Sequence, residues 1–297
     1  MLASTMDLLL TARRNVYAIG AFNIYNLEGV KAVVQAAETL SSPAMLQIHP
    51  GSLKFGGTAL VSLCMEAART SKVPISVHLD HSTSTSAIQQ ALNAGMTSVM
   101  ADGSPLPYSE NLSFTKQMTQ LAHSKGAAVE AEIGRISGSE DGLTVEEKEA
   151  LMTDPDQAVE FVAATKVDFL AVTIGNVHGE YKSKPRLDFP RLARIRKNID
   201  IPLVLHGASG LPPEMISKSI ELGVCKFNVN TEVRQAYVQN LKQDLSSSKS
   251  PDLVDLMQNA IGAMQSVISE KIQLFGSAGK AHLHESPYAS MLAGQRT

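Results

Sequence analysis

The chain has 297 residues, of which 44% are hydrophobic and 19% charged, and its formal net charge is −3. This balance is typical of a soluble protein with a sizeable core, and no Lys/Arg run offers the basic surface of a nucleic-acid-binding protein. No window approaches the roughly 20 apolar residues of a membrane span. Nucleic-acid and membrane partners are therefore not expected. Cys64 and Cys225 lie in apolar segments, which predicts free thiols and favours a reducing, cytoplasmic location.

The first segment, residues 1–22, is apolar and carries two arginines. A cleavable signal peptide is not favoured, because the apolar run at residues 8–10 is short and precedes the basic pair. We predict a leading helix that enters the first strand.

Short apolar runs, often rich in β-branched residues, then alternate with helical patterns along most of the chain. Each run ends in a polar or glycine-rich turn, and residues 27–40 show the helical spacing well, with apolar side chains at 30, 33, 34 and 37. We predict eight strands, at residues 17–24, 43–49, 74–80, 98–103, 127–134, 168–175, 202–208 and 226–231.

Alternating strands and helices predict a parallel sheet of the α/β class. Eight units favour a closed (β/α)8 TIM barrel, here with an N-terminal leading helix and a C-terminal extra helix. An open doubly wound sheet is the alternative, but no GxGxxG fingerprint follows the first strand. We expect one domain over residues 1–297, with residues 277–297 as a tail of unassigned order.

Two segments break the alternation. Residues 134–154 form a long acidic, glycine-rich insertion after the fifth strand, and such loops are usually functional lids or disordered. Residues 277–297 lack periodicity and stay unassigned, as do their histidines, His282 and His284; a short histidine pair in a tail is more often solvated than a ligand set.

Functional side chains of such barrels gather at the carboxyl ends of the strands. The polar residues at the predicted strand ends are Asn23, His49, His78, Asp80, His81, Asp102, Glu132, His178, His206, Ser209, Asn228, Asn230 and Thr231. A single histidine at a strand end usually bonds a loop. Three that converge, His81, His178 and His206, would instead offer the three imidazoles and open position of a catalytic Zn²⁺ site. His123 lies late in a helix, where a cation is tolerated.

A second signal comes from the loops after the seventh and eighth strands, the usual phosphate corner of a barrel. Gly207, Ala208 and Ser209 offer backbone N–H groups and a hydroxyl, and Thr231 could begin a helix whose N-terminus attracts an anion. Alternatively, Thr231 is only an N-cap.

Six motifs together resemble, in order and spacing, one enzyme family: the class II, zinc-dependent ketose-bisphosphate aldolases of the fructose- and tagatose-bisphosphate type. The resemblance extends from about residue 6 to about residue 280. The motifs are HLDH (78–81), MADGS (100–104), EAEIGRISGSEDG (130–142), TIGNVHGEY (173–181), PLVLHGASGLP (202–212) and KFNVNTE (226–232).

The resemblance implies a cytoplasmic enzyme of glycolysis or related carbohydrate metabolism that cleaves a phosphorylated ketose to dihydroxyacetone phosphate and an aldehyde. It implies a homodimer or homotetramer. The implied roles are zinc ligation by His81, His178 and His206; a secondary metal position lined by Asp102 and Glu132; acid/base catalysis by Asp80; and handling of the dihydroxyacetone-phosphate C–H proton by Glu140. The implied substrate and phosphate contacts, where a Na⁺ or K⁺ ion also often sits, are Asn23, Gly179, Gly207, Ala208, Ser209, Asn228, Asn230 and Thr231.

Several positions depart from the family pattern. His49 replaces a small hydroxyl residue near the substrate, and Asn230 replaces the Asp or Ala of relatives, which leaves sugar specificity open. No arginine for a second phosphate is evident and only Lys271 is near, so a substrate with one phosphate also stays open. Lys182 and Lys184 are better explained as a solvated loop.

Other mechanisms and functions were weighed from the residues. A Schiff-base lysine is not expected, because Lys226 opens the predicted eighth strand at the end opposite the chemistry. A metal-dependent hydrolase on the same barrel would need an HxH pair on the first strand and an Asp on the last, and residues 21–26 and 227–232 lack both. A sugar-phosphate-binding domain with an altered substrate remains a third alternative. Alternation along residues 74–80 turns His78 inward, as a packed histidine that supports Asp80 and His81.

Overall fold

A computed structural model of the chain describes residues 1–140, 143–145, 151–179, 181, 184–247 and 252–284. Its strands are β1 (Ile19–Asn23), β2 (Ala44–Ile48), β3 (Ile75–Ser82), β4 (Ser98–Ala101), β5 (Ala128–Ile133), β6 (Ser137–Glu140), β7 (Leu143–Val145), β8 (Phe169–Val172), β9 (Val177–His178), β10 (Leu203–Leu205) and β11 (Val224–Val229).

Eight of these strands close a parallel barrel in the order β1-β11-β10-β8-β5-β4-β3-β2. Each predicted strand overlaps one barrel strand, so the predicted TIM barrel is confirmed. The eighth begins earlier than expected, at Val224. The strands are buried on both faces, which explains why they appear in the sequence as continuous apolar runs.

Ten helices are described, and they connect or flank the barrel strands. They are α1 (Thr5–Arg14), α2 (Leu27–Thr39), α3 (Pro50–Thr70), α4 (Thr85–Asn93), α5 (Tyr108–His123), α6 (Pro155–Thr165), α7 (Phe189–Asn198), α8 (Pro213–Glu221), α9 (Thr231–Ser247) and α10 (Leu253–Leu274). Side-chain caps begin several of them: the Asn26 side chain accepts from Gly29 N at 3.0 Å, and Asp154 and Asp188 cap α6 and α7 in the same way.

The core has two apolar clusters. The larger joins outward-facing strand residues, such as Val77 and Leu79, to the surrounding helices. The smaller packs Leu8 and Leu9 of α1 against Ile19 and other residues at the amino end of the barrel. Burial of each such side chain stabilises the fold by about 1.5–3 kcal/mol. The predicted leading helix α1 therefore closes the end of the barrel opposite the strand termini that carry the polar residues.

The glycines of the insertion at 134–154 predict a loop, but part of the insertion forms strands. Its strand β6 pairs antiparallel with β7 and parallel with β9, which forms a small three-stranded sheet at the barrel mouth. The sequence signal was absent because residues 137–140 (SGSE) show no apolar alternation.

The C-terminal segment is ordered as far as it is described. A 3-10 helix spans Ala281–His284, and Nε2 of His284 lies 2.7 Å from the Tyr17 hydroxyl. Burial lowers the pKa of His284 to about 4. Of the two unassigned tail histidines, His284 is therefore partly buried against Tyr17, whereas His282 is exposed. Residues 285–297 lie outside the described residues.

Within the described part of the chain, no helix has the length and apolar character needed to cross a membrane. Cys64 and Cys225 are both buried and free, as predicted.

Candidate metal centre and active site

Three histidines from separate segments meet at the carboxyl end of the barrel. His81 lies in β3, His178 in β9, and His206 directly after β10. Ring centroids are 4.5 Å apart for His81 and His206 and 5.1 Å apart for His81 and His178. One nitrogen of each ring lies within 4.8 Å of the others. The convergence predicted for these three imidazoles is confirmed.

His81 reaches this position through an unusual backbone conformation. Its φ is +38°, and the register between β3 and β4 shifts between Leu79 and Ser82. A non-glycine residue in this region is uncommon and costs free energy that the surrounding structure must offset. The irregularity turns the His81 ring into the barrel mouth next to Asp80, although strand alternation would separate the two side chains.

Carboxylates fix which ring nitrogen of two histidines carries the proton. Nδ1 of His81 lies 2.7 Å from Asp102 Oδ2, and Nε2 of His206 lies 2.8 Å from Glu130 Oε1. The carboxylates accept, so these nitrogens carry a hydrogen, and in the neutral rings that can bind a metal the lone pairs lie on His81 Nε2 and His206 Nδ1. Both of those atoms are buried and make no hydrogen bond within the described part of the chain. Converging imidazole lone pairs of this kind fit a metal ion.

A second group of candidate ligands shares His81. Its ring, Asp102 and Glu132 offer ligand atoms within 4.8 Å of one another, and Glu132 Oε2 lies 3.4 Å from His206 Nδ1. Burial and the nearby Asp102 charge raise the pKa of Glu132 against the effect of the histidines. Burial alone would raise the pKa of Asp102 too, but hydrogen bonds from His81 and Ser104 lower it.

Asp80 is buried beside the histidines and is held by two side-chain amides. Asn23 Nδ2 donates to Oδ2 at 3.3 Å, and Asn228 Nδ2 donates to Oδ1 at 3.1 Å. Burial would raise the pKa of Asp80, but the His81 and Lys226 charges outweigh it and lower the pKa to about 2. Asp80 is therefore an ionised base at neutral pH, with its oxygens oriented before any ligand arrives.

The prediction that Lys226 opens the eighth strand is wrong. Because β11 begins at Val224, Lys226 is an interior residue of that strand, and it is 0% exposed. Its Nζ lies 2.8 Å from Glu130 Oε2 and 2.7 Å from Asn228 Oδ1. The ammonium is thus engaged by a carboxylate and an amide below the histidines. The sequence does hold a signal for Glu130, because Glu130 and Glu132 are two residues apart on β5 and so face the same side. Two acids that both point into the barrel require a positive charge nearby.

His78 is an interior histidine, as predicted. Its Nδ1 lies 2.8 Å from Ser98 Oγ, and its Nε2 lies 3.3 Å from Glu130 Oε2. It is fully buried and directed away from the convergence of the other three rings.

The loop after β10 is locked against the segment that carries His178. The Tyr181 hydroxyl donates to Gly207 O at 3.0 Å and accepts from Val177 N at 3.1 Å. Gly207 has φ +63°, and a Cβ added there would lie 2.1 Å from Val177 O. The backbone at 206–209 can approach β9 closely only because residue 207 is glycine.

Gly207→Ala should therefore raise KM for a phosphorylated substrate by about tenfold or more, since the loop must withdraw from Val177 and lose its geometry. Gly126→Ala is the matched control, because Gly126 also has positive φ (+71°) but open space around its Cβ position. Steady-state kinetics and thermal unfolding of both variants test this. Equal KM values in the two variants would contradict it.

The other predicted contacts surround this corner. Ser209, Ala208 and Thr231 are buried, and Thr231 begins α9 next to β11. Asn230 Oδ1 accepts from the Tyr25 hydroxyl at 2.8 Å, and Gly179 follows His178 in the β9 segment.

His49, which departs from the family pattern, and Lys271, considered for a second phosphate, contact other parts of the protein. His49 is buried and caps α3, since its Nδ1 accepts from Gly51 N at 3.1 Å. Lys271 pairs with Glu232, whose other oxygen accepts from Gly210 N at 3.2 Å. Glu140 ends β6, and its side chain lies outside the described part of the chain, as does Lys182.

Further site residues were missed in the sequence. Gln47 Nε2 donates to Asn23 Oδ1 at 2.9 Å, and Asn176 Nδ2 donates to the His206 carbonyl at 3.2 Å. These amides hydrogen-bond Asn23 and the backbone of His206, and neither contributes a metal ligand. Buried amides of this kind belong to no sequence motif.

Comparison with known proteins agrees with this arrangement. The family described as "Fructose-bisphosphate aldolase class-II" matches residues 3–280. A fructose-bisphosphate aldolase of Thermus caldophilus is 39% identical over 305 aligned residues, which cover 95% of this chain and 100% of the relative. A candidate fructose-1,6-biphosphate aldolase from Coccidioides immitis has a TM-score of 0.89 at 37% identity, over 94% of this chain and 98% of that one. The YdjI aldolase of Escherichia coli K12 has a TM-score of 0.85 at 36% identity, over 95% of this chain and 100% of its own.

Proposed function

From the premise that this chain belongs to the class II fructose-bisphosphate aldolase family and is an aldolase, we propose that its metal is zinc and its substrate a phosphorylated ketose. The products are dihydroxyacetone phosphate and an aldehyde, and the reaction is reversible. The observation that carries the proposal is the set of imidazoles whose lone pairs meet beside the ionised Asp80.

The proposed metal ligands are Nε2 of His81, Nδ1 of His206 and the ring of His178. Imidazole donors suit Zn²⁺ better than Mg²⁺ or Ca²⁺, which take oxygen ligands. Asp102 and Glu132 line the secondary position around His81. When bound, the metal supplies Lewis-acid stabilisation of the negative charge that develops as the C3–C4 bond breaks.

Asp80 is the proposed acid/base residue. In cleavage it accepts the C4 hydroxyl proton of the ketose, and in condensation it returns that proton to the new hydroxyl. Asn23 and Asn228 hold its two oxygens, which limits the reorganisation needed when the proton moves. Glu140 is the proposed partner for the C1 proton of the three-carbon product.

The phosphate is proposed to bind at the corner after β10 and β11. The contacts come from backbone N–H groups, the amides of Asn228 and Asn230, and the hydroxyls of Ser209 and Thr231, at the positive end of α9. The backbone groups belong to Gly179, Gly207 and Ala208. A Na⁺ or K⁺ ion is proposed to bind at the same corner.

The family also supports a sugar-phosphate substrate in general terms. A homodimer or homotetramer, a cytoplasmic location and a single domain over residues 1–297 are further proposals. Since Lys271 already pairs with Glu232, substrates with one phosphate deserve equal weight in any assay.

Zinc-loaded protein should release dihydroxyacetone phosphate from at least one of four ketoses: fructose- and tagatose-1,6-bisphosphate and their 1-phosphate analogues. Coupling the product to NADH oxidation by glycerol-phosphate dehydrogenase measures the release, and metal analysis verifies the loading. Release from none of them by protein with a filled zinc site would contradict the proposed substrate class.

A further inference from the structure

One fully buried charged side chain of the barrel, Lys226, is outside the chemistry proposed above. Within the described part of the chain, its Nζ donates to Glu130 and Asn228. A buried ammonium requires such compensation, because desolvation without it costs several kcal/mol. If Lys226 served only to balance the charge of Glu130, its contact with Glu130 would be sufficient. The contact with Asn228 is therefore the informative one.

That contact determines the orientation of an amide. The ammonium has three donors and no acceptor, so the atom 2.7 Å from it must be the carbonyl oxygen of Asn228. The NH2 group is then directed to the other side, where it donates to Asp80 Oδ1 at 3.1 Å. Gln47 stands in the same relation to Asn23. The Gln47 amide can exchange its donor and acceptor by rotating 180°, so it does not fix the orientation of Asn23. The Lys226 ammonium can only donate, so it does fix the orientation of Asn228.

A second branch leads from the same ammonium to the metal centre. Glu130 accepts from Lys226 through Oε2 and from Nε2 of His206 through Oε1. The ion pair therefore holds the carboxylate that keeps the proton on Nε2 and leaves Nδ1 as the ligand atom.

We propose that Lys226 is a positioning residue of the aldolase: it fixes the Asn228 amide so that its NH2 group holds Asp80, and it holds Glu130 against His206. This inference rests on the proposed function for its kinetic consequence and on the geometry alone for the orientation of the amide.

The test separates orientation from charge balance. Lys226→Met alone leaves Glu130 buried without its partner, and this single variant is expected to be unstable. In the double variant Lys226→Met/Glu130→Gln, the glutamine oxygen still accepts from His206 and its NH2 group can donate to His78. The two charges of the ion pair are then removed together and the hydrogen bond to Asn228 is lost, so the double variant is expected to fold and to bind one metal ion per chain like wild type.

The expected kinetic result is a fall in kcat of about tenfold to a hundredfold, with KM and zinc content changed less than about threefold. The comparison variant is His78→Gln, which perturbs another partner of Glu130 without touching Asn228, and its kcat should fall less than that of the double variant. A double variant with wild-type kcat and stability would overturn the proposal and leave Lys226 as a counter-ion. Equal losses of kcat in the double variant and the comparison variant would overturn it too.

An independent readout needs no turnover. In metal-free protein labelled with [15N]asparagine, the side-chain NH2 resonance of Asn228 is assigned by its absence in Asn228→Asp. It should be sharp in wild type and in His78→Gln, and shifted or exchange-broadened in the double variant. An unchanged resonance in the double variant would overturn the proposed orientation. If instead no ketose phosphate is cleaved by wild type, the proposed function fails while this measurement still decides the role of Lys226.

Discussion

Asp80→Asn should lower kcat for aldol cleavage by about 10² to 10⁴-fold while the protein keeps its metal. The asparagine has nearly the same shape but cannot accept the C4 hydroxyl proton at any usable pH. It would also turn an NH2 group toward the amide of Asn23 or Asn228, each of which now donates to a carboxylate oxygen. The loss should therefore fall mainly on kcat, because the substitution removes none of the proposed metal ligands.

The matched control for this prediction is Asp168→Asn. Asp168 also pairs with a histidine, His123, at 2.9 Å, but at the amino end of the barrel. Kinetics and zinc content should be those of wild type in this variant. A metal-loaded Asp80→Asn enzyme with kcat within about threefold of wild type would exclude Asp80 as the acid/base residue.

Complete removal of the metal should lower aldol activity by at least about 10³-fold, and Zn²⁺ should restore it whereas Mg²⁺ at the same concentration should not. The reason is that nothing else among the described site residues replaces a divalent charge between the three imidazoles. Chelation followed by metal analysis and readdition tests this. Full activity in protein that retains less than about 1% of its metal would contradict it.

The same metal site should bind more weakly as pH falls. Burial lowers the pKa of His81, but Asp80 and Asp102 outweigh burial and raise it well above its ordinary value in the metal-free protein. A raised pKa means that the proton persists to higher pH, so it competes with the metal below that pKa and not above it. Zinc affinity measured by competition with a chelator should fall with decreasing pH, beginning above the ordinary histidine range. An affinity independent of pH across this range would contradict the assignment of His81 as a ligand.

The barrel and its histidine cluster could be predicted because each rests on a repeated pattern. The eight strands are buried on both faces, so their apolar runs remain visible despite their short length. Once the barrel is inferred, strand-end residues far apart in sequence, such as His81 and His206, are expected to converge. The family motifs then supply roles that the pattern alone leaves open.

Lys226, Glu130 and the small sheet were not predictable in the same way. A lysine near the start of a strand is usually solvated at its tip, and only the exact start of β11 at Val224 places Lys226 inside. Strand β6 has no apolar alternation and is defined by its backbone partners. The φ of +38° at His81 has no clear sequence signal either, because positive φ is uncommon even for histidine, although histidine is enriched there among non-glycine residues.

The pairing of β6 with β9 has a kinetic consequence. Ser137 pairs with Val177 and Gly138 with His178, so a proposed metal ligand and the strand that ends at Glu140 share one hydrogen-bonded ladder. Any displacement of that hairpin either breaks the ladder or carries His178 with it. If His178 holds the proposed ion, the rate at which that ion escapes would be tied to the position of the hairpin, and a ligand that stabilises the hairpin at the mouth would also lengthen the residence time of the ion.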